Sequence, residues 1–295
     1  MVDTLIDEGR GLTWGVPHDL STPRRAPRIA RSVTFFIAVG VLALFVILAF
    51  IAPLFSNVVY TQHLGEALQA PSLAHPFGTD ELGRDILART IYGSRVSLLT
   101  ASLATLIALA AGLPIGLAAG FLGRRLDAVL MRSMDLLLAV PAIVLAMTVI
   151  AVLGTGTFSA IYAIGIIGVP SIARLSRAGV LAERDRDYVL GTRALGAGRA
   201  HILFRTILPN ISSPIIAQMA VLAELAVLIQ AALSFLGLGT PPPTPTWGQM
   251  LSSGQSYLAQ APWYGLFPGV ILTITVLSLD IAARRADTNA AKGAG

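Results

Sequence analysis

Tyr188-Val-Leu-Gly-Thr-Arg-Ala-Leu-Gly-Ala-Gly-Arg-Ala-His-Ile-Leu-Phe-Arg-Thr-Ile-Leu-Pro-Asn210 is the longest arginine-bearing segment lying between two strongly apolar runs. Tyr188, Thr192 and Leu195 fall at i, i+4 and i+7, one face of a helix, with Arg186 and Arg193 on another. Gly196-Ala-Gly198 interrupts that pattern as a turn does. The spacing predicts a second short helix, pairing Leu203 with Ile207 and His201 with Arg205, and closed by Pro209. Two small helices joined by a glycine elbow form a knob that a soluble partner can grip. The alternative reading is an ordinary polar loop.

The surrounding composition is that of a membrane protein. The 295 residues are 55% apolar and only 13% charged. Apolar runs near 20 residues recur, each long enough for a bilayer core of roughly 30 Å. Val33–Ala52 follows a basic start but is too long for the core of a signal peptide, so it reads as a retained span. Further spans are expected near Ser97–Gly120, Val129–Leu153, Phe158–Ala173, Ile211–Phe235 and Tyr264–Ala283. Pro114, Pro141, Pro214 and Pro268 lie inside them and are expected to be tolerated there. The fold expected is all-α and polytopic: six transmembrane helices, with the two-helix loop between spans four and five, a loop the resemblance given below identifies as the cytoplasmic coupling-helix loop. The divisions are a cytoplasmic tail at 1–32, a first span at 33–52 and an external loop with an interfacial helix at 53–96. A transmembrane core at 97–283 follows, holding the loops 174–210 and 236–263, and then a cytoplasmic tail at 284–295.

Of the 21 lysines and arginines, all but Arg84, Arg89 and Arg95 fall on the side of the N-terminus in this topology. Basic residues concentrate in cytoplasmic loops, so both termini and the stretch 184–210 are placed inside the cell. The net charge of +5 resides in those loops, and no soluble basic face exists for nucleic acid.

Several chemistries are excluded. There is no cysteine, hence no disulfide, thiolate nucleophile or cysteine-ligated metal. A phosphate-binding P-loop needs Lys followed by Ser or Thr, and the only lysine, Lys292, precedes Gly293. His18, His63, His75 and His201 show no ligand spacing. The expectation is a non-catalytic chain without a metal or cofactor of its own, any ATP and Mg being held by another chain.

Outside the knob, three places carry polar chemistry. Asp80-Glu-Leu-Gly-Arg-Asp-Ile-Leu-Ala-Arg89 contains Asp80/Arg84 and Asp85/Arg89 at i, i+4 and reads as a capped interfacial helix. It either orders the external loop or acts as a docking or gating element. Leu236-Gly-Leu-Gly-Thr-Pro-Pro-Pro-Thr-Pro-Thr-Trp-Gly248 reads as a stiff outer loop, with Trp247, Tyr257, Trp263 and Tyr264 suited to an aromatic belt. Asp135, Glu224 and Asp280 fall inside apolar runs, where ionisable groups are functional suspects. Arg132 at i−3 and Arg284 at i+4 can neutralise the first and last. Glu224, with Gln230 in the same span, either lines a translocation path or pairs across a helix interface.

Arg193-Ala-Leu-Gly-Ala followed by Ile207-Leu-Pro-Asn210 resembles the coupling motif of bacterial ABC-importer permeases. That motif usually opens Glu-Ala-Ala, whereas this chain has Leu190-Gly191-Thr192 and so lacks its carboxylate. Phe77-Gly-Thr-Asp-Glu-Leu-Gly-Arg-Asp85 with Ser94-Arg-Val-Ser-Leu98 narrows the resemblance. So does Leu233-Ser-Phe-Leu-Gly-Leu-Gly239 with Pro242-Pro-Thr-Pro-Thr-Trp-Gly248 and Ala261-Pro-Trp263. Together they are similar to the dipeptide/oligopeptide/nickel permease family, in its second-subunit branch. The resemblance implies an ATP-driven importer in the bacterial inner membrane, for di- or oligopeptides, nickel or another small solute. It also implies a homologous second permease subunit, two ABC ATPase subunits and an extracytoplasmic substrate-binding protein. ATPase coupling is then expected at Arg186, Tyr188, Arg193, Leu195, Gly196, Arg199, Leu208 and Pro209. An external loop or gate is expected at Asp80, Arg84, Asp85 and Trp247. An ion-coupled secondary carrier is the rival from another class.

Overall fold

The computed structural model describes residues 28–293, with side chains described at 33–54 and 57–285. Most of the N-terminal tail expected at 1–32, including Arg10, Arg24 and Arg25, lies outside the described residues. No strand forms among the described residues. The helices are α1 (Arg28–Ile51), the short α2 (Ser56–Tyr60), α3 (Ile86–Leu122), α4 (Arg124–Ala139), α5 (Ala142–Leu153) and α6 (Thr157–Glu183). Then come α7 (Asp187–Ala194), the single turn α8 (Arg199–His201), a π-helical segment at Ile202–Ile207, α9 (Leu208–Phe235), α10 (Trp247–Ser256) and α11 (Pro262–Gly293).

Five continuous helical segments are long and apolar enough to cross a bilayer: Val33–Leu54, Ile86–Leu122, Thr157–Glu183, Arg199–Phe235 and Pro262–Arg285. The third expected span, Val129–Leu153, is not one helix. It is broken into α4 and α5, which bend by 94°. Val140 is extended (ψ 130°) because the ring of Pro141 disfavours helical backbone at the residue before it. The 12 residues of α5 reach only about 18 Å, short of a full crossing on their own.

The second span also differs from expectation, because α3 starts at Ile86 and runs unbroken for 37 residues. Pro209 does not close a helix. It sits in the first turn of α9, where its missing N–H costs nothing, and the helical path runs on from Arg199 to Phe235. At the C-terminus helical backbone continues through α11 to Gly293, where a separate tail was expected.

The centre of the bundle is the pair α3 and α6. Gly112, Gly116 and Gly120 lie at i, i+4 and i+8 on the α3 face turned to α6. A Cβ on Gly116 would sit 2.3 Å from the Ala173 carbonyl oxygen, and one on Gly112 would sit 2.7 Å from that of Val169. Small residues at this spacing let two backbones meet where apolar burial alone gives no driving force between helices. From the other side, Gly165 and Gly168 of α6 press on Ile107 and Ala108 of α3. Ala101, Ala104, Ala226, Val227, Leu233 and Trp247 then join α3, α9 and α10 in one core.

The loop expected at 236–263, with its stiff stretch at 236–248, contains α10. Thr246 caps it by accepting from the Gln249 amide at 3.2 Å. Gly248 lies directly on the Ala231 carbonyl of α9, and Gly254 lies on Gly265 of α11.

Candidate functional site

α7 leaves α6 through Arg184, Asp185 and Arg186 and ends in a left-handed turn. Gly196 has φ +86°, its amide bonds the Arg193 carbonyl at 3.0 Å, and the Ala197 amide bonds the Thr192 carbonyl at 3.3 Å. These two bonds make a Schellman ending with glycine at the left-handed position. Gly198 then opens α8. The expected glycine elbow is present, but the second helix merges into α9 through the π-helical segment. There the Leu208 amide reaches back five residues to the Leu203 carbonyl.

The knob is anchored by apolar contact. Val189 is fully buried in a cluster with Leu117 of α3, Val180 of α6, and Ile202, Ile207 and Ile211. Leu208 is half-buried against that cluster and Pro209 is exposed. Leu195, at 90% exposure, projects from the tip, with Arg193 and Arg199 exposed on either side of the elbow. Leu190, standing where the resembled motif carries its glutamate, is exposed as well.

A chain of hydrogen bonds ties the knob to its neighbours. Tyr188 donates its hydroxyl to Glu183 Oε2 at 2.6 Å and accepts from Asn210 Nδ2 at 3.1 Å. Asn210 Nδ2 also donates to the Thr206 carbonyl at 2.8 Å. Arg186 Nε lies 3.5 Å from the same Glu183 carboxylate. Desolvation and the adjoining Glu183 push the Tyr188 hydroxyl above its usual range. Sequence reading singled out Tyr188 and Arg186 but missed Glu183 and Asn210, which lie outside the helical face used to choose residues.

α4 is fastened beside the knob. Arg177 of α6 makes a two-pronged ion pair with Asp127, and Arg174 reaches Asp135 at 2.5 Å. The expected neutralisation of Asp135 by Arg132 is thus replaced by a partner on another helix. Arg184 Nη1 donates to the Gly120 carbonyl at the end of α3, 3.1 Å away. The expected Asp280–Arg284 pair is present at 2.8 Å.

The external-loop residues gather into a buried charge cluster rather than an interfacial helix. Asp80 is fully buried in a tight turn, where its Oδ1 accepts from the amides of Leu82 and Arg84, both at 2.9 Å. Its Oδ2 meets Arg84 Nε at 2.6 Å and Arg89 Nε at 3.3 Å. Arg84 and Arg89 are themselves only 7% and 3% exposed at the side chain. The expected Asp85–Arg89 pair does not form. Asp85 caps α3 through the Ala88 amide at 2.8 Å and holds His75 Nδ1 at 2.8 Å, leaving Arg89 to Asp80.

Trp247 does not sit in an interfacial belt: it is fully buried and donates its indole N–H to the Thr90 carbonyl of α3 at 3.0 Å. Tyr264 is buried too. The charge cluster and Trp247 therefore meet on successive turns at the start of α3.

Glu224 is half-buried on α9, with Asp280 and Arg284 of α11 the charges it feels. Gln230 is buried and donates to Ser234 Oγ at 3.0 Å, while its Oε1 has no protein partner. The structure does not bring Glu224 and Gln230 together into one pocket with the knob. No group of side chains suited to a metal occurs among the described residues.

The chain matches known proteins along most of this architecture. Residues 112–292 match the family described as binding-protein-dependent transport system inner membrane component. A di/tripeptide transport system permease protein of Pseudomonas aeruginosa is 44% identical over 69% of this chain and 67% of its own length. A dipeptide transport system permease protein of Alkalihalophilus pseudofirmus is 40% identical over 80% of this chain and 78% of its own. Among solved structures, an inward-facing form of the MetNI methionine ABC transporter superposes with a TM-score of 0.57 at 19% identity, over 70% of this chain and 96% of that one. That likeness speaks for the fold. Glycine-packed apolar helices, an exposed knob between α6 and α9 and a family match through both place this chain in the binding-protein-dependent transport system inner membrane components, as a multi-pass permease subunit of an ABC importer.

Proposed function

We propose that this permease carries di- or oligopeptides and that the knob at 184–210 is where ATPase motion enters it. The peptide assignment rests on relatives at 40–44% identity that are named as di/tripeptide and dipeptide permeases. One observation carries the coupling assignment: an exposed, basic tip built on a turn whose root is fully buried between α3, α6 and α9. A push on such a tip moves spans instead of bending a loop. The chain forms half of the pathway beside a homologous second permease subunit. Two ATPase subunits bind ATP and Mg and grip the knob, and an extracytoplasmic binding protein delivers the peptide at the opposite end. Both termini and the knob are cytoplasmic, a placement the distribution of arginines supports.

The Gly196 turn supplies the test. A Cβ there meets nothing within 4 Å in this chain, so within the permease the strain comes from its positive φ and not from a clash. Ile at that position costs about 1–2 kcal/mol of backbone strain and moves α8 out of line. Asn, which tolerates this conformation, is the control. Gly196→Ile should insert normally but lose binding-protein-stimulated ATP hydrolysis, and Gly196→Asn should keep most of it. Normal stimulation in Gly196→Ile would remove the knob from the coupling path.

Glu224 is the candidate for the pathway. If it faces the substrate, Glu224→Gln should lower peptide uptake at unchanged yield of complex. If it serves only a helix contact, the yield should fall instead, by a contact of about 0.6–2 kcal/mol. Uptake and yield both at wild-type levels would exclude either role.

A further inference from the structure

The hydrogen-bond chain on Tyr188 joins three elements that must move together if the knob drives the spans. Glu183 is the last residue of α6, Tyr188 lies in the first turn of α7, and Asn210 lies in the first turn of α9. The donor order is unambiguous. Asn210 must turn its NH2 toward the Thr206 carbonyl, which accepts it at 2.8 Å, and the same NH2 then faces the Tyr188 oxygen at 3.1 Å. The Tyr188 hydroxyl, its oxygen occupied as acceptor, gives its proton to Glu183 at 2.6 Å. Each group is used in the one sense its chemistry allows.

The position of Asn210 adds to the argument. It follows Pro209, directly beyond the π-helical segment Ile202–Ile207. A π-helical turn is a point where the register of a helix can shift, and such turns recur at functional sites. The join between knob and α9 is therefore the deformable part of the lever. The buried contact of Val189 with Ile202, Ile207 and Ile211 is apolar and non-directional, so it permits sliding. The Tyr188 bonds are directional and do not.

We propose that Tyr188 is a positioning residue. With Glu183 and Asn210 it forms a latch that bridges the π-helical segment and makes α6, the knob and α9 move as one body when the ATPases close. The latch rests on the coupling role assigned to residues 184–210.

The chain has no cysteine, so two spin labels can be introduced cleanly at Ala194→Cys on the knob and Ser213→Cys on α9, both exposed positions. The distance between them is read in the complete transporter, with ATPase subunits, before and after trapping with ATP and vanadate. With Tyr188 present it should be narrow and unchanged by the nucleotide. In Tyr188→Phe, which keeps the ring and loses only the hydroxyl, trapping should shift or broaden it. Glu183→Leu should behave as Tyr188→Phe does, whereas Glu183→Gln, which keeps an acceptor oxygen, should behave as the parent. A Tyr188→Phe distance as narrow and constant as the parent's would overturn the latch. So would a parent distance that already changes on trapping. The coupling role itself stands or falls separately, on ATPase stimulation in Gly196→Ile.

Discussion

Asp80→Asn should lower the stability of the purified protein by about 3–5 kcal/mol, the usual cost of breaking a buried ion pair from one side. Asn preserves the shape and keeps the acceptor for the Leu82 and Arg84 amides. What it loses is the charge. Its NH2 would face Arg84 Nε and Arg89 Nε, leaving donors opposed to donors; Arg84 would keep only Glu81 Oε1, 3.2 Å from its Nη2, and the almost fully buried Arg89 would lose its ion-pair partner. The Arg89 guanidinium also donates to the Val59 carbonyl at 3.3 Å, so the damage should spread to the joint between α2 and α3. Thermal unfolding in detergent measures it. Asp280→Asn is the comparison: Asp280 is 30% and Arg284 78% exposed at the side chain, and an exposed pair of that kind adds little to stability. Equal losses from the two variants would show that the Asp80 cluster is not the buried anchor its geometry describes.

Gly116→Leu should be the most damaging single change in the bundle. The first added atom already collides with the backbone, at 2.3 Å from the Ala173 oxygen and 3.0 Å from its carbonyl carbon, and a backbone cannot swing aside as a side chain can. The remaining atoms of leucine have to force α3 and α6 apart along their whole contact. The cost should be about 3 kcal/mol or more, at the upper end of what overpacking a core produces. Since α6 carries Arg174 and Arg177, the ion pairs to α4 should go with it. The expected result is loss of assembled complex at normal synthesis. Gly40→Ala, where a Cβ meets nothing within 4 Å, should assemble normally. An intact Gly116→Leu complex would mean that α3 and α6 are not in backbone contact.

How much of this could be read from the chain differs by element. Apolar runs are a one-dimensional signal, so the helical class and the approximate span positions were legible. The glycine elbow was legible too, because a positive φ leaves a glycine in the sequence. Prolines misled twice, each time through context. Pro141 breaks a run that looks continuous, while Pro209 looks like a terminator but stands where a helix tolerates it. α10 was hidden because the proline-rich run 236–248 read as a stiff loop, although Gly248 and Gly254 are glycines for the sake of contact with α9 and α11.

The charge cluster was half legible. Spacing paired Asp80 with Arg84 correctly. It then paired Asp85 with Arg89 as if on the same helix, whereas a turn at 80–84 redirects Arg89 to Asp80 and leaves Asp85 to cap α3. Trp247 looked like an interfacial ring until a partner 157 residues away, the Thr90 carbonyl, took its N–H. The latch on Tyr188 was not legible at all, since Asn210 is 22 residues distant and joined through a π-helical turn that no periodicity announces.

The coupling role of the knob is tested most directly by a photo-crosslinking side chain in place of Leu195, the most exposed apolar residue of the tip. Irradiation of the complete transporter in its native membrane should give an adduct with an ATPase subunit. The same group in place of Leu73, fully exposed in the loop before α3, should give none. An adduct from position 195 to the extracytoplasmic binding protein, or an ATPase adduct from position 73 alone, would contradict both the orientation of the chain and the assignment of residues 184–210 as the place where ATP-driven motion enters it.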